Sequence, residues 1–201
     1  NVGGSVATHG YAAHSFVLQS IGGGGGQAGD GSTRSGGTLH LGGVVNSNQS
    51  GQQGGSVSAS GYRNIETYGD DSFGLLAQSI GGGGGVALTG GAQGAASMIV
   101  GGGAGNGAAV TLHYVSGALN TYGDGAHGLV AQSIGGGGGL FGDSGAGALD
   151  LYPVGSNRVT GSAGDGSSAG VTVTVDGTIT TRGAGAFGVV AQSLAGGGGM
   201  G

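Results

Sequence analysis

The chain has 201 residues, of which 59 are glycine and only 6% are charged, with no lysine, no cysteine and a net charge of −5. That balance excludes a basic footprint for nucleic acid or anionic lipid, and it removes disulfide scaffolds and thiolate metal sites. A single proline (Pro153) without a Gly-X-Y period excludes collagen, and 36% hydrophobic residues, gathered in short Val, Ile, Leu and Thr runs, set the chain apart from a flexible glycine-rich linker.

Asn1–Gly10 reads as the tail of a repeat unit, because Val6, Thr8 and Gly10 match Ile65, Thr67 and Gly69 at alternate positions. The same apolar-x-Thr-x-Gly pattern returns at Leu119–Gly123 and Ile179–Gly183 and predicts a short strand ending in a turn. A longer repeated stretch follows: HGYAAHSFVLQSIGGGGG from His9, YGDDSFGLLAQSIGGGGG from Tyr68, YGDGAHGLVAQSIGGGGG from Tyr122 and RGAGAFGVVAQSLAGGGG from Arg182. Its Gln-Ser pairs begin at Gln19, Gln78, Gln132 and Gln192, spaced 78 − 19 = 59, 132 − 78 = 54 and 192 − 132 = 60 residues. Such a period marks a repeat architecture, with approximate units 1–26, 27–85, 86–139 and 140–199.

In Phe73–Ile80 neither alternating face is polar throughout, so this strand is expected to be covered on both sides, as in a parallel sheet with a layer packed on it. After each glycine tract the units diverge. Gln27–Gln53 holds TLHLGGVV (Thr38–Val45), Val86–Gly107 holds ASMIV (Ala96–Val100) and Leu140–Ser168 holds ALDLYPVG (Ala148–Gly155), each one candidate strand. Val57–Ser60, Val110–Val115 and Val171–Val175 then alternate with period 2. A unit is therefore about four short strands. No segment shows a helical period with caps, and no apolar run reaches the ~18 residues of a membrane helix. The predicted fold class is all-β: a repetitive β-solenoid, or parallel β-helix, of stacked like strands ~4.8 Å apart. There Gln19, Gln78, Gln132 and Gln192 would form an amide ladder, since a lone buried amide costs roughly 1–3 kcal/mol; side chains facing water are the alternative.

The tracts, exemplified by Gly81, Gly82, Gly83, Gly84 and Gly85 and by Gly135, Gly136, Gly137, Gly138 and Gly139, are costly to order, at ~0.5–1 kcal/mol per glycine. Their constant length directly after the same strand favours packing over a linker role. The expectation is extended, polyglycine-II-like tracts lying side by side between or against the stacked units, where no Cβ fits.

Little catalytic chemistry is legible. There is no G-x-S-x-G elbow, no paired glutamates, and the histidines share no single repeat position; His14 and His127 align with Phe73 and Phe187 and read as packing positions. The expectation is a non-enzyme without cofactor. Asp70, Asp71 and Asp124 are the candidate cation ligands, against the reading that they are aspartates of ordinary turns. Calcium-binding nonapeptide repeats are present only as fragments at Gly161–Asp165 and Gly69–Asp70. Thr8, Thr67, Thr121 and Thr181 recur at one position and raise ice binding as a lesser alternative.

The string GLVAQSIGGGGG (Gly128–Gly139), preceded by NTYGDGAH (Asn120–His127), resembles a glycine-rich repeat of bacterial autotransporter-type surface proteins and adhesins. The resemblance covers about half the chain and implies a β-helical passenger region displayed outside a Gram-negative cell, with any membrane barrel beyond Gly201. The chain starts at Asn1 and stops just after a tract, as expected of a segment of a longer repeat array. Its expected work is structural or adhesive: a stiff extracellular rod displaying the variable inserts to host, abiotic or other cell surfaces. A self-assembling filament subunit of a matrix or sheath is the alternative. Expected partners are neighbouring repeats or identical chains, with no nucleic acid and no transmembrane segment.

Overall fold

The computed structural model describes residues 4–23, 26–28, 38–41, 53–61, 64–82, 85–89, 97–100, 105–114, 117–136, 139–143, 166–195 and 199–200. In chain order these form β1 (Ser5–Thr8), β2 (Phe16–Ile21) and β3 (Gly26–Ala28), then β4 (Thr38–Leu41), β5 (Val57–Gly61), β6 (Asn64–Thr67), β7 (Leu75–Ile80) and β8 (Gly85–Thr89). The series repeats as β9 (Ser97–Val100), β10 (Val110–Tyr114), β11 (Ala118–Thr121), β12 (Leu129–Ile134) and β13 (Gly139–Asp143), and again as β14 (Val171–Val175), β15 (Thr178–Thr181), β16 (Val189–Leu194) and β17 (Gly199–Met200). The described residues are all-β, with no helix, and so none long and apolar enough to cross a membrane.

Like strands pair with like, always in parallel. The sheets run β1-β6-β11-β15, β5-β10-β14, β2-β7-β12-β16, β3-β8-β13-β17 and β4-β9. Equivalent residues face each other without slippage: Gln19 lies opposite Gln78, Gln78 opposite Gln132, and Gln132 opposite Gln192. Register this strict follows from the pattern, since a one-residue slip would carry every side chain to the other face.

The middle strands β7 and β12 are buried on both faces. One face of this sheet packs Ala77 and Ala131 against Val57, Val110 and Leu112 of the β5-β10-β14 sheet. Ile65, Tyr114, Leu119 and Leu129 close the adjoining corner with the β6-β11 pair. The opposite face gathers Leu76, Val130 and Val190 around Phe73. Alanine at 77 and 131 leaves room for the facing sheet, whereas the first copy carries Leu18 at this position.

Two expectations need correction. A complete unit has five strands, not about four, because a further strand starts on the last glycine of each tract: Gly26, Gly85, Gly139 and Gly199 are mutual register partners. Unit boundaries drawn at the tract ends therefore cut a strand, which a leading glycine had hidden. The tracts are also not extended where they begin. Gly22–Gly23, Gly81–Gly82 and Gly135–Gly136 bend, and Gly136 sits at φ 72°, in the left-handed region. Gly83, Gly84, Gly137 and Gly138 lie outside the described residues, as do the candidate strand at Ala148–Gly155 and most of the three inserts.

Candidate functional site

What the repeat builds is a set of columns along the stacking direction, in which one side-chain type bonds to the next unit. The most buried is an amide ladder. Gln19 Nε2 donates to Gln78 Oε1, Gln78 Nε2 to Gln132 Oε1 and Gln132 Nε2 to Gln192 Oε1, each at 2.6 Å. Gln78 and Gln132 are fully buried. Parallel in-register strands place successive amides one strand spacing apart, and an amide chain bridges that step with donor and acceptor always pointing the same way; such chains polarise one another in a low dielectric.

The serine beside each glutamine points to the opposite face and fastens the chain entering the next unit. Ser20 Oγ accepts from Gly55 N at 2.8 Å, Ser79 Oγ from Ala108 N at 2.9 Å and Ser133 Oγ from Ala169 N at 2.9 Å. Ser193 Oγ instead donates to the Ala169 carbonyl at 2.9 Å. The first tract glycine then passes against that same incoming backbone. A Cβ on Gly22 would lie 2.6 Å from the Gln53 backbone, and one on Gly81 or Gly135 would collide with the backbone at Asn106 or Ser167. On Gly23 it would stand 3.0 Å from the Gly81 and Gly82 oxygens. Gln, Ser, Ile and Gly of the motif thus serve the ladder, the clamp, the core and close backbone approach in turn.

The turns that join β1 to β2, β6 to β7, β11 to β12 and β15 to β16 stack in the same way. Gly69, Gly123 and Gly183 each lie so close to the glycine carbonyl of the preceding unit that a Cβ would collide with it. The residue two places on is left-handed in all four copies: Ala12 (φ 52°), Asp71 (53°), Gly125 (66°) and Gly185 (68°). Aromatic rings form two columns. His9, Tyr68 and Tyr122 stack at 4.6 and 4.7 Å, with the Arg182 guanidinium 5.7 Å from the Tyr122 ring centre. His14, Phe73, His127 and Phe187 follow at 4.5, 5.0 and 5.3 Å. Besides packing, each imidazole accepts a backbone proton from the next unit: His14 Nδ1 from Phe73 N at 2.9 Å and His127 Nδ1 from Phe187 N at 3.2 Å. Burial lowers the pKa of both to about 4, so the rings are neutral, and able to accept, at neutral pH.

The candidate cation ligands have a comparable role. Asp70 Oδ1 accepts from Asp124 N at 2.9 Å, and Asp124 Oδ1 accepts from Ala184 N at 2.7 Å. Asp70 and Asp124 are exposed, whereas Asp71 is buried at the left-handed position and donates its N–H to the Asp124 carbonyl at 2.7 Å. No group of three or more His, Cys, Asp or Glu side chains converges among the described residues. Asp70 and Asp124 stand at one turn position in successive units, and each caps a backbone N–H of the unit that follows. The threonine column is turned inward: Thr67 and Thr121 are fully buried, and Thr121 Oγ1 donates to the Ala126 carbonyl at 2.5 Å. That column therefore offers no ice-facing array.

A cavity of about 170 Å³ opens between the sheets beside Phe16, Leu18, Leu75, Ala59 and Gly61. It exists because Ala59 and Gly61 stand where the next unit has Leu112 and Tyr114, and its lining is mostly apolar. His113, on the outer face, pairs with Asp176 at 2.8 Å, both well exposed. The sequence shows the glutamines and the aromatic position but not the serine clamp, although a serine directly after the glutamine in all four copies was its signal. Comparison with family models, curated proteins and solved structures finds no match to this chain.

Proposed function

We propose that the chain is a structural module: a segment of a β-solenoid that serves as a stiff, protease-resistant part of an extracellular bacterial surface protein and holds its variable inserts outward. The observation that carries this reading is the amide ladder, with like strands in register on either side of it. Side chains whose hydrogen-bonding capacity is used between units are spent on cohesion, and the residues that vary are gathered in the inserts, where contact with surfaces is made at least cost to the scaffold. The low charge and the resemblance of the AQSIGGGGG motif to autotransporter-type repeats support an adhesive surface location.

Hydrogen exchange and limited proteolysis of the purified chain test the scaffold. The amides of β7 and β12 should exchange slowest, and limited proteolysis should leave both strands uncut. Exchange in β7 and β12 as fast as in an unstructured peptide would end the proposal. Antibody labelling of intact, unpermeabilised cells tests the location, and labelling seen only after lysis would overturn it.

A further inference from the structure

Two exposed tyrosines of the middle units are held ring against ring, and we propose that Tyr68 and Tyr122 are a site of oxidative cross-linking, joined by one-electron oxidation into a dityrosine that staples one unit to the next. The proposal stands on the geometry of the stack and not on where the protein is displayed.

The pairing is fixed by backbone on both sides of each ring. Tyr68 N donates to the Thr8 carbonyl at 3.0 Å and Tyr122 N to the Thr67 carbonyl at 2.9 Å, which carries the in-register ladder of β6 and β11 one residue beyond the strands. The turns then close up at once, since a Cβ on Gly123 would collide with the Gly69 carbonyl. The two tyrosines are therefore kept one strand spacing apart, and their rings lie 4.7 Å apart and within 4° of parallel. His9 covers the other face of Tyr68 at 4.6 Å, and the Arg182 guanidinium stands over Tyr122, 5.7 Å from the ring centre, within range of a cation–π contact. Even so, Tyr68 is 42% and Tyr122 36% exposed. With the faces covered, what meets solvent is the rim of each ring, which carries the phenol and the carbons beside it. A ligand that stacks on aromatic faces finds none open here. A reagent that takes an electron and a proton from a phenol finds two phenols side by side.

The first proton has an acceptor in place. Glu66 is the sole glutamate of the chain, and its register partners are Ala7 and Asn120. Its Oε2 accepts the Tyr68 hydroxyl at 3.0 Å. That hydrogen bond raises the Tyr68 pKa above its ordinary value, so the phenol is intact at neutral pH and passes its proton to Glu66 as the electron leaves. Each phenol gives up one electron and one proton and becomes a phenoxyl radical. The unpaired electron spreads onto the carbons ortho to oxygen, and one such carbon on each ring forms the new carbon–carbon bond. The hydrogens on those two carbons move to the oxygens and restore both phenols. With a peroxidase as the oxidant, the two electrons and two protons released reduce one hydrogen peroxide to two waters. The bond closes a loop of 122 − 68 = 54 residues, so it restricts the unfolded chain and makes the stack harder to open.

Hydrogen peroxide and a peroxidase, added to the dilute purified chain, test the proposal. Dityrosine fluorescence should appear while the chain keeps its monomeric mass, to the same extent on further dilution, and the treated chain should unfold at higher urea than the untreated one. Cleavage before aspartate parts the two residues, Tyr68 into 30–69 and Tyr122 into 71–123, and mass spectrometry should find these peptides joined. Tyr68→Phe and Tyr122→Phe keep a stacked ring, shown folded by circular dichroism, and each should lose the joined peptide completely. Glu66→Gln should form it at least about tenfold more slowly, because an amide does not take the phenol proton as a carboxylate does. Dityrosine formed only between chains, or a joined peptide that survives either phenylalanine substitution, would overturn the proposal, and an unchanged rate in Glu66→Gln would overturn the part given to Glu66. No cross-link in a chain whose β7 and β12 amides are protected would reject this inference and leave the scaffold standing.

Discussion

Replacing Gln78 and Gln132 with leucine, singly and together, isolates the energy of the ladder. Gln78→Leu strands two polar groups, the half-buried Gln19 donor and the fully buried Gln132 acceptor. Gln132→Leu strands the fully buried Gln78 donor and the half-buried Gln192 acceptor. The double variant strands only the two half-buried groups, which water reaches, and the two fully buried ones cease to exist. The apolar gain from each leucine cancels in the cycle. A buried group left without its partner costs about 1–3 kcal/mol, so the double variant should be about 2–6 kcal/mol more stable than the sum of the single effects. Urea unfolding of the four proteins, followed by far-ultraviolet circular dichroism, measures each term. Additivity to within about 0.5 kcal/mol would mean that the amides do not depend on one another, and the cohesive role assigned to them would fall.

Acid should weaken the fold through its histidines. Folded His127, buried and with its pKa lowered to about 4, binds a proton less readily than in the unfolded chain, where the value is 6.5. Its contribution is therefore complete above pH 6.5 and is lost as pH falls towards 4, by about 3 kcal/mol in all, and His127→Phe should reduce the slope of urea midpoints across that window, leaving the share carried by His14. Gly123→Ala drives a methyl into the Gly69 carbonyl and should cost about 1–3 kcal/mol, whereas Gly170→Ala, with open space around it, should be neutral or stabilise by up to about 1 kcal/mol; thermal melts of both variants decide this. Thr121→Val removes the bond to Ala126 and should cost about 1–3 kcal/mol, while Thr67→Val removes a buried hydroxyl that has no partner and should be neutral or stabilising in the same melts.

The pairing of like strands was legible because self-similarity encodes register directly: the same letters at the same offset leave one alignment of β2, β7, β12 and β16. Two-sided burial of Leu75–Ile80 could be read from the absence of a polar face. Other features left weaker marks. The strand at Gly85–Thr89 begins inside a glycine tract, where composition argues against any strand. The left-handed position at Ala12, Asp71, Gly125 and Gly185 carries glycine in only two of four copies, so the turn type is invisible until the backbone is seen. Asp70 and Asp124 resemble ion ligands in sequence, yet their partners are N–H groups 54 and 60 residues away, and a backbone donor has no letter in a sequence.

The strict register has a consequence for how such a chain can change over generations. Since each unit meets its neighbours through the same atoms at the same places, a recombination event that adds or deletes one whole unit rejoins two surfaces already matched. Adding a single residue inside β7 or β12 would displace every side chain beyond it. Genes of this design are thus free to lengthen in whole-unit steps, each extending the stack by one strand spacing of about 4.8 Å, while the inserts diverge at their own pace.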